Sequence, residues 1–124
     1  MTVPLTGKRA LVVEDEPFLA MDVADLLTDA GFEVIGPATS VTDALELLEQ
    51  SGCDVAVLDI HLGDEDSEPV ALALKSRGTP FVIVSGNSQK HSPPGFEGAP
   101  FLSKPISVST LITLLRSIVG SNVE

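Results

Sequence analysis

The sequence predicts an α/β fold, a doubly wound (βα)5 arrangement in which five parallel strands alternate with helices. Three observations carry it. Short apolar runs of strand length, among them Ala10-Leu11-Val12-Val13 and Val55-Ala56-Val57-Leu58, alternate with stretches whose apolar residues recur at helical spacing. Glycine closes the first three helical stretches. Polar residues follow the apolar runs: Glu14-Asp15-Glu16 after the first strand, Asp59 after the third, Ser85 after the fourth and Lys104-Pro105 after the fifth.

The first strand is expected at about Arg9–Glu14, and the first helix opens at Pro17, a residue tolerated at a helix start. Leu19, Val23, Leu26, Leu27 and Ala30 give that helix its apolar face, and Gly31 ends it. A second strand at about Glu33–Gly36 leads to Ser40, whose hydroxyl can cap a helix with Asp43 three residues on. Val41, Ala44, Leu45 and Leu48 form its stripe, and Gly52 closes it. After the Asp59 strand comes a loop, Gly63-Asp64-Glu65-Asp66-Ser67, then a shorter helix at about Pro69–Ser76 ended by Gly78, and a fourth strand at Pro80–Ser85. Between Ser85 and Pro100 little can be buried, and Pro93-Pro94 forbids a regular helix interior, so the fourth helix is expected to be short, distorted or absent. A brief fifth strand, Phe101–Leu102, precedes a final helix at about Ser107–Val119 with Val108, Leu111, Ile112, Leu115, Ile118 and Val119 on its apolar face.

A chain of 124 residues with 44% hydrophobic content suits a single domain over residues 1–124, with a core at about 8–119. Its net charge of -11, with only seven Lys and Arg residues, argues against nucleic acid. Met1–Gly7 lacks the continuous apolar core of a secretory signal, and no run approaches the ~20 residues of a membrane span, so a cytoplasmic protein with no membrane insertion is expected. Cys53, the single cysteine, reads as a small buried apolar residue.

In an open doubly wound sheet, ligands bind beyond the carboxyl ends of the strands where the strand order reverses. Glu14, Asp15 and Asp59 would be anionic neighbours there, and like charges repel unless a cation neutralises them. Mg2+ is the natural ion, because it prefers carboxylate oxygens and bridges to phosphate. A transferring phosphoryl group needs chiefly positioning and positive charge, which Lys104 and the metal would provide, with a hydrogen bond from Ser85.

Four stretches carry a family resemblance: Leu11-Val12-Val13-Glu14-Asp15-Glu16-Pro17, Val57-Leu58-Asp59-Ile60-His61-Leu62-Gly63, Val82-Ile83-Val84-Ser85-Gly86 and Phe101-Leu102-Ser103-Lys104-Pro105. Together they resemble the signatures of response-regulator receiver domains of two-component signalling, in the same order, over about Lys8 to Val119. The resemblance implies a flavodoxin-like sheet of order 2-1-3-4-5 and phosphorylation on Asp59 by a histidine kinase or histidine phosphotransfer protein. It implies Mg2+ on Glu14, Asp15, Asp59 and the backbone carbonyl of His61. Ser85 matches the switch hydroxyl, Lys104 the family's lysine and Phe101 the aromatic switch position, while His61 and Asn87 match positions that tune attack by water. Such a domain is not an enzyme on other substrates; it catalyses its own phosphorylation and dephosphorylation, and signals by phosphorylation-dependent binding or serves as a phosphate shuttle or sink.

The sequence also departs from that pattern. Leu62-Gly63-Asp64-Glu65-Asp66-Ser67 stands where the family has Pro-x-x-Asp/Asn-Gly. With Gly86 after Ser85, this is similar to stand-alone receivers associated with the HWE kinases of alphaproteobacteria, some of which carry Phe-Ala-Thr-Gly where this chain has Ile83-Val84-Ser85-Gly86. The acidic loop reads as solvated, and the side chains of His61 and His91 as exposed. Two alternatives stand beside the receiver reading: a pseudo-receiver that binds partners without phosphorylation, and a haloacid-dehalogenase-like phosphohydrolase, whose second acid would fall at position 61, here His.

Overall fold

The computed structural model describes residues 7–86 and 94–121, so Asn87, His91 and the start of the chain lie outside the described residues. Strand β1 (Arg9–Val13) leads into α1 (Pro17–Asp29), β2 (Glu33–Ala38) into α2 (Val41–Ser51), and β3 (Val55–Asp59) into a small hairpin, β4 (His61–Leu62) and β5 (Glu65–Asp66). Helix α3 (Glu68–Ser76), β6 (Phe81–Ser85), a 3-10 turn at Pro94–Phe96, β7 (Phe101–Ser103) and α4 (Val108–Ser121) complete the order.

Five strands pair in parallel in the order β2-β1-β3-β6-β7, with the hairpin apart from them. Leaving out the hairpin strands, this is the expected 2-1-3-4-5 sheet. The order reverses between β1 and β3, so a crevice opens at their carboxyl ends. Period-two alternation divides the core between the two faces. Leu11, Val13, Ala56, Leu58, Phe81 and Ile83 pack with residues of α2, α3 and the 3-10 turn, while Ala10, Val12, Val55, Val57, Val82 and Val84 pack with residues of α1 and α4. Leu11, Leu58, Leu74 and Ile83 are fully buried, and each contributes roughly 1.5–3 kcal/mol through transfer from water. That apolar slab fixes the strand ends at which the polar residues emerge.

The local signals act as expected at several junctions. Pro17 starts α1, the Ser40 hydroxyl accepts from Asp43 N at 3.1 Å, and Gly52 leaves α2 at φ 67°. Strand β2 runs two residues past the expected Gly36. The pairing with β1 shifts register between Leu11 and Val13, and Gly36 takes φ 100° at a place where a Cβ would lie 2.8 Å from Ala38 N and 3.0 Å from Val12 O. Pro37 is tolerated in β2 because the strand lies at the sheet edge.

Two further differences concern the loops. The acidic loop after β3 is a hairpin, with His61 opposite Asp66 and Leu62 opposite Glu65. Leu62 is buried in the core, which ties the hairpin down. Between β6 and β7 the described residues hold a 3-10 turn at Pro94–Phe96, while residues 87–93, where a short or irregular fourth helix was expected, lie outside the described residues. Phe96 from this turn is buried in the core, and Gly95 N donates to Glu68 Oε2 at 2.8 Å.

Candidate functional site

Strand register builds the site. Val13 lies opposite Leu58 and Asp59 opposite Val84, so Glu14 and Asp59 come level at the carboxyl edge of neighbouring strands. Continuing the alternation of Val12 and Val57, both fall on the α1 and α4 face. The chain leaves β1 under control, because Glu14 N donates to Ala38 O at 2.9 Å. Glu14 is 4% exposed and Asp59 6%, burial that carboxylates tolerate only with partners.

Lys104 is the principal partner. Its Nζ lies 3.0 Å from Asp59 Oδ2, 3.2 Å from Glu14 Oε1 and 3.6 Å from Glu16 Oε2. Glu14, Asp15 and Asp59 each offer a carboxylate oxygen, and these oxygens lie within 4.8 Å of one another. One ammonium therefore faces more negative charge than it can balance. Burial pushes the Glu14 carboxyl up to about 7; the hydrogen bond from Glu16 N works against this shift and the charge of Asp59 adds to it. For Lys104, burial works against the charged form, but the hydrogen bond to Asp59 and the charges of Asp59 and Glu14 outweigh it, so its affinity for the proton is raised.

The remaining expected residues surround this cluster. Asp15 Oδ2 accepts from Gly63 N at 2.7 Å, which links the acidic edge to the hairpin. Ser85 is buried at the end of β6, opposite Ser103, and its carbonyl accepts from Lys104 N at 3.0 Å. Phe101 lies opposite Ile83, half-buried against the core. His61 exposes its side chain, and its backbone N–H makes a long bond of 3.4 Å to Asp59 Oδ1. Asn87 lies outside the described residues.

Three features were not read from the sequence. Glu16 joins the Lys104 cluster as a third, more exposed acid. The acidic loop is not merely solvated, since Glu65 Oε1 accepts from Val41 N at 3.1 Å and Asp66 Oδ1 from Glu68 N at 2.9 Å, giving α2 and α3 an acceptor at their first turns. Ser67 is fully buried, and its hydroxyl donates to the Asp59 carbonyl at 2.5 Å. A signal for the hairpin existed in Gly63-Asp64, a pair suited to a two-residue hairpin turn.

A flavodoxin-like sheet with an acidic pocket at its switch point, and a lysine reaching into it from the last strand, defines a class of α/β signalling module. Residues 10–116 match the response regulator receiver domain family, and the chain belongs to it. The transcriptional regulatory protein PdtaR of Mycobacterium tuberculosis H37Rv is 31% identical over 97% of this chain and 63% of its own length. The sensory transduction protein RegX3 of Mycolicibacterium smegmatis is 36% identical over 88% of this chain and 49% of its own length. The chain thus spans less than two thirds of either relative. Among solved structures, SdrG from Sphingomonas melonis Fr1 superimposes with a TM-score of 0.78 at 36% identity, covering 94% of this chain and 98% of that one. A CheY-like receiver domain from Methylobacillus flagellatus gives 0.78 at 30% identity over 91% and 99%.

Receiver domains are modules of two-component signalling that bind Mg2+ at an acidic pocket, and Glu14, Asp15 and Asp59 form such a cluster here. Their partners are kinases or phosphotransfer proteins. Among the described residues no helix is long and apolar enough to cross a membrane.

Proposed function

We propose that the chain accepts a phosphoryl group on Asp59 and signals through the change this makes in protein binding. One observation carries the reading: the Asp59 carboxylate stands among the oxygens of Glu14 and Asp15 with the Lys104 ammonium 3.0 Å away. Nucleophile, metal-binding acids and counter-charge share one pocket.

The donor set fits Mg2+. Three carboxylate oxygens, the donors this ion prefers, lie within 4.8 Å of one another. Glu14, Asp15 and Asp59 would hold the ion, with the His61 carbonyl as a further ligand. The bound metal would supply positive charge for the phosphoryl oxygens. Asp59 would provide the oxygen that attacks phosphorus as the bond from phosphorus to the donor's histidine nitrogen breaks and the imidazole leaves. Lys104, 3.0 Å from that carboxylate, would face the charge arriving on it. Ser85 would donate a hydrogen bond to the phosphoryl group, drawing the β6 end inward and giving half-buried Phe101 room to follow. His61, with its exposed side chain, and Asn87, outside the described residues, are the positions that would set the lifetime.

A phosphodonor, a histidine kinase or phosphotransfer protein, is the expected partner. An apolar groove of about 1070 Å³ begins at Glu16 and Lys104 and runs along α1, with Phe18 85% exposed on its wall, so the pocket opens beside a surface able to seat another protein. Residues 1–124 are read as one receiver domain, acting in the cytoplasm.

Adding beryllofluoride with Mg2+ tests the proposal through the backbone amide spectrum. Shifts at Asp59, Ser85 and Lys104 are expected in the wild type and none in Asp59→Asn. A wild-type spectrum indifferent to both reagents rules the proposal out in favour of an interaction module that works without phosphorylation.

A further inference from the structure

The buried hydroxyl of Ser67 has no place in the mechanism so far. Ser67 occupies the N-cap position of α3, where a serine side chain ordinarily turns to accept from an amide of the first helical turn. Here it makes no such cap. Asp66 Oδ1 takes Glu68 N instead, and the Ser67 hydroxyl donates backwards to the carbonyl of Asp59 at 2.5 Å. Ser67 N also donates to Ile60 O at 2.8 Å, so one residue closes the base of the hairpin with two bonds.

That closure touches two of the three carboxylates of the pocket. The hairpin held by Ser67 presents His61 N to Asp59 Oδ1 and Gly63 N to Asp15 Oδ2. The loop after β3 is a short hairpin anchored by buried Leu62 and by the Ser67 hydroxyl. We propose that Ser67 is a positioning residue for the phosphoryl-acceptor site: its hydroxyl fixes the Asp59 main chain and, through the hairpin, the orientation of Asp59 and Asp15 toward a cation. This rests on the reading of the pocket as a Mg2+-dependent acceptor site. Ser67 touches neither phosphate nor metal. Its part is to keep the first ligands preset, and partners at that remove commonly cost 10-fold to 100-fold in metal affinity when lost.

The test is a Mg2+ titration followed by backbone amide and carbonyl resonances, comparing wild type, Ser67→Ala and Ser67→Thr at a temperature where each is folded. The inference expects the alanine variant to bind Mg2+ on the order of 10-fold more weakly, with its Asp59 carbonyl resonance displaced before any metal is added, and the threonine variant to recover most of the affinity. A role in stability alone would lower the melting temperature of Ser67→Ala and leave its Mg2+ affinity and Asp59 carbonyl unchanged, and that result overturns the inference. Should the alanine variant not fold, the wild type decides. Ser67 amide and Asp59 carbonyl resonances that move with those of Asp15 during titration support it, and resonances that stay fixed while Asp15 responds refute it. A wild type indifferent to Mg2+ at Glu14, Asp15 and Asp59 alike overturns the acceptor reading and this inference with it.

Discussion

Glu14 carries the electrostatic cost of the pocket. Its carboxyl is raised from 4.5 to about 7, chiefly by burial, so between those values the folded protein holds a proton that the unfolded chain releases. Stability from this group is therefore greatest at the acid side of the window and falls as pH rises from about 4.5 to about 7. Glu14→Gln removes this component, so the melting temperature of the wild type should drop relative to the variant across that window, as thermal unfolding without metal will report. Mg2+ should restore more stability at pH 8 than at pH 5, since it takes the place of the proton; equal gains at both values would count against the metal reading. Lys104, raised in turn, contributes stability that persists below about 10.5 and is lost only as pH climbs through its still higher folded value. Replacing it with methionine removes a cation that competes for the same oxygens. Lys104→Met is expected to bind Mg2+ at least as tightly as wild type at pH 8 yet lose the amide response to beryllofluoride, both readable by titration. Cys53, by contrast, packs against the core, and burial pushes its thiol up to about 11. At pH 7.5 its alkylation should be far slower than that of a free thiol and should accelerate when urea unfolds the chain.

Among the elements, α2 shows how a local signal and a distant one meet. Ser40 satisfies Asp43 N, as its position ahead of an apolar stripe implies, while Glu65 from the hairpin satisfies Val41 N. Ser40→Ala is expected to cost about 1 kcal/mol in urea unfolding, the usual worth of such a cap. Gly36→Ala should cost more than about 1 kcal/mol, because φ 100° disfavours any side chain and the nearest atoms to its Cβ are backbone that cannot yield. The hairpin marks the limit of periodicity. Two-residue strands made of His61-Leu62 and Glu65-Asp66 show neither a β-branched run nor an alternation, and only the turn pair Gly63-Asp64 betrays them. Ser67 was hidden for a related reason: its partner is a carbonyl eight residues upstream, a proximity that exists only once the hairpin has closed.

For the whole molecule, the sheet and the edge where the pocket lies were legible because they depend on repeated, redundant features. Four polar strand ends, each behind its own apolar run, could share an edge only if the strands were parallel, and the register that levels Glu14 with Asp59 follows from that packing. What the pattern left out were contacts set by side-chain reach, such as Glu16 to Lys104, and by loop closure, such as Gly63 to Asp15. On the proposed reading, this edge makes Asp59 a phosphoryl acceptor. Intact mass spectrometry after incubation with a small-molecule phosphodonor such as acetyl phosphate and Mg2+ tests it most directly: the wild type should gain the mass of one phosphoryl group, lost on chelating the metal and absent from Asp59→Asn. A wild type that gains no mass, or an Asp59→Asn variant that gains it equally, would mean that Asp59 is not the acceptor.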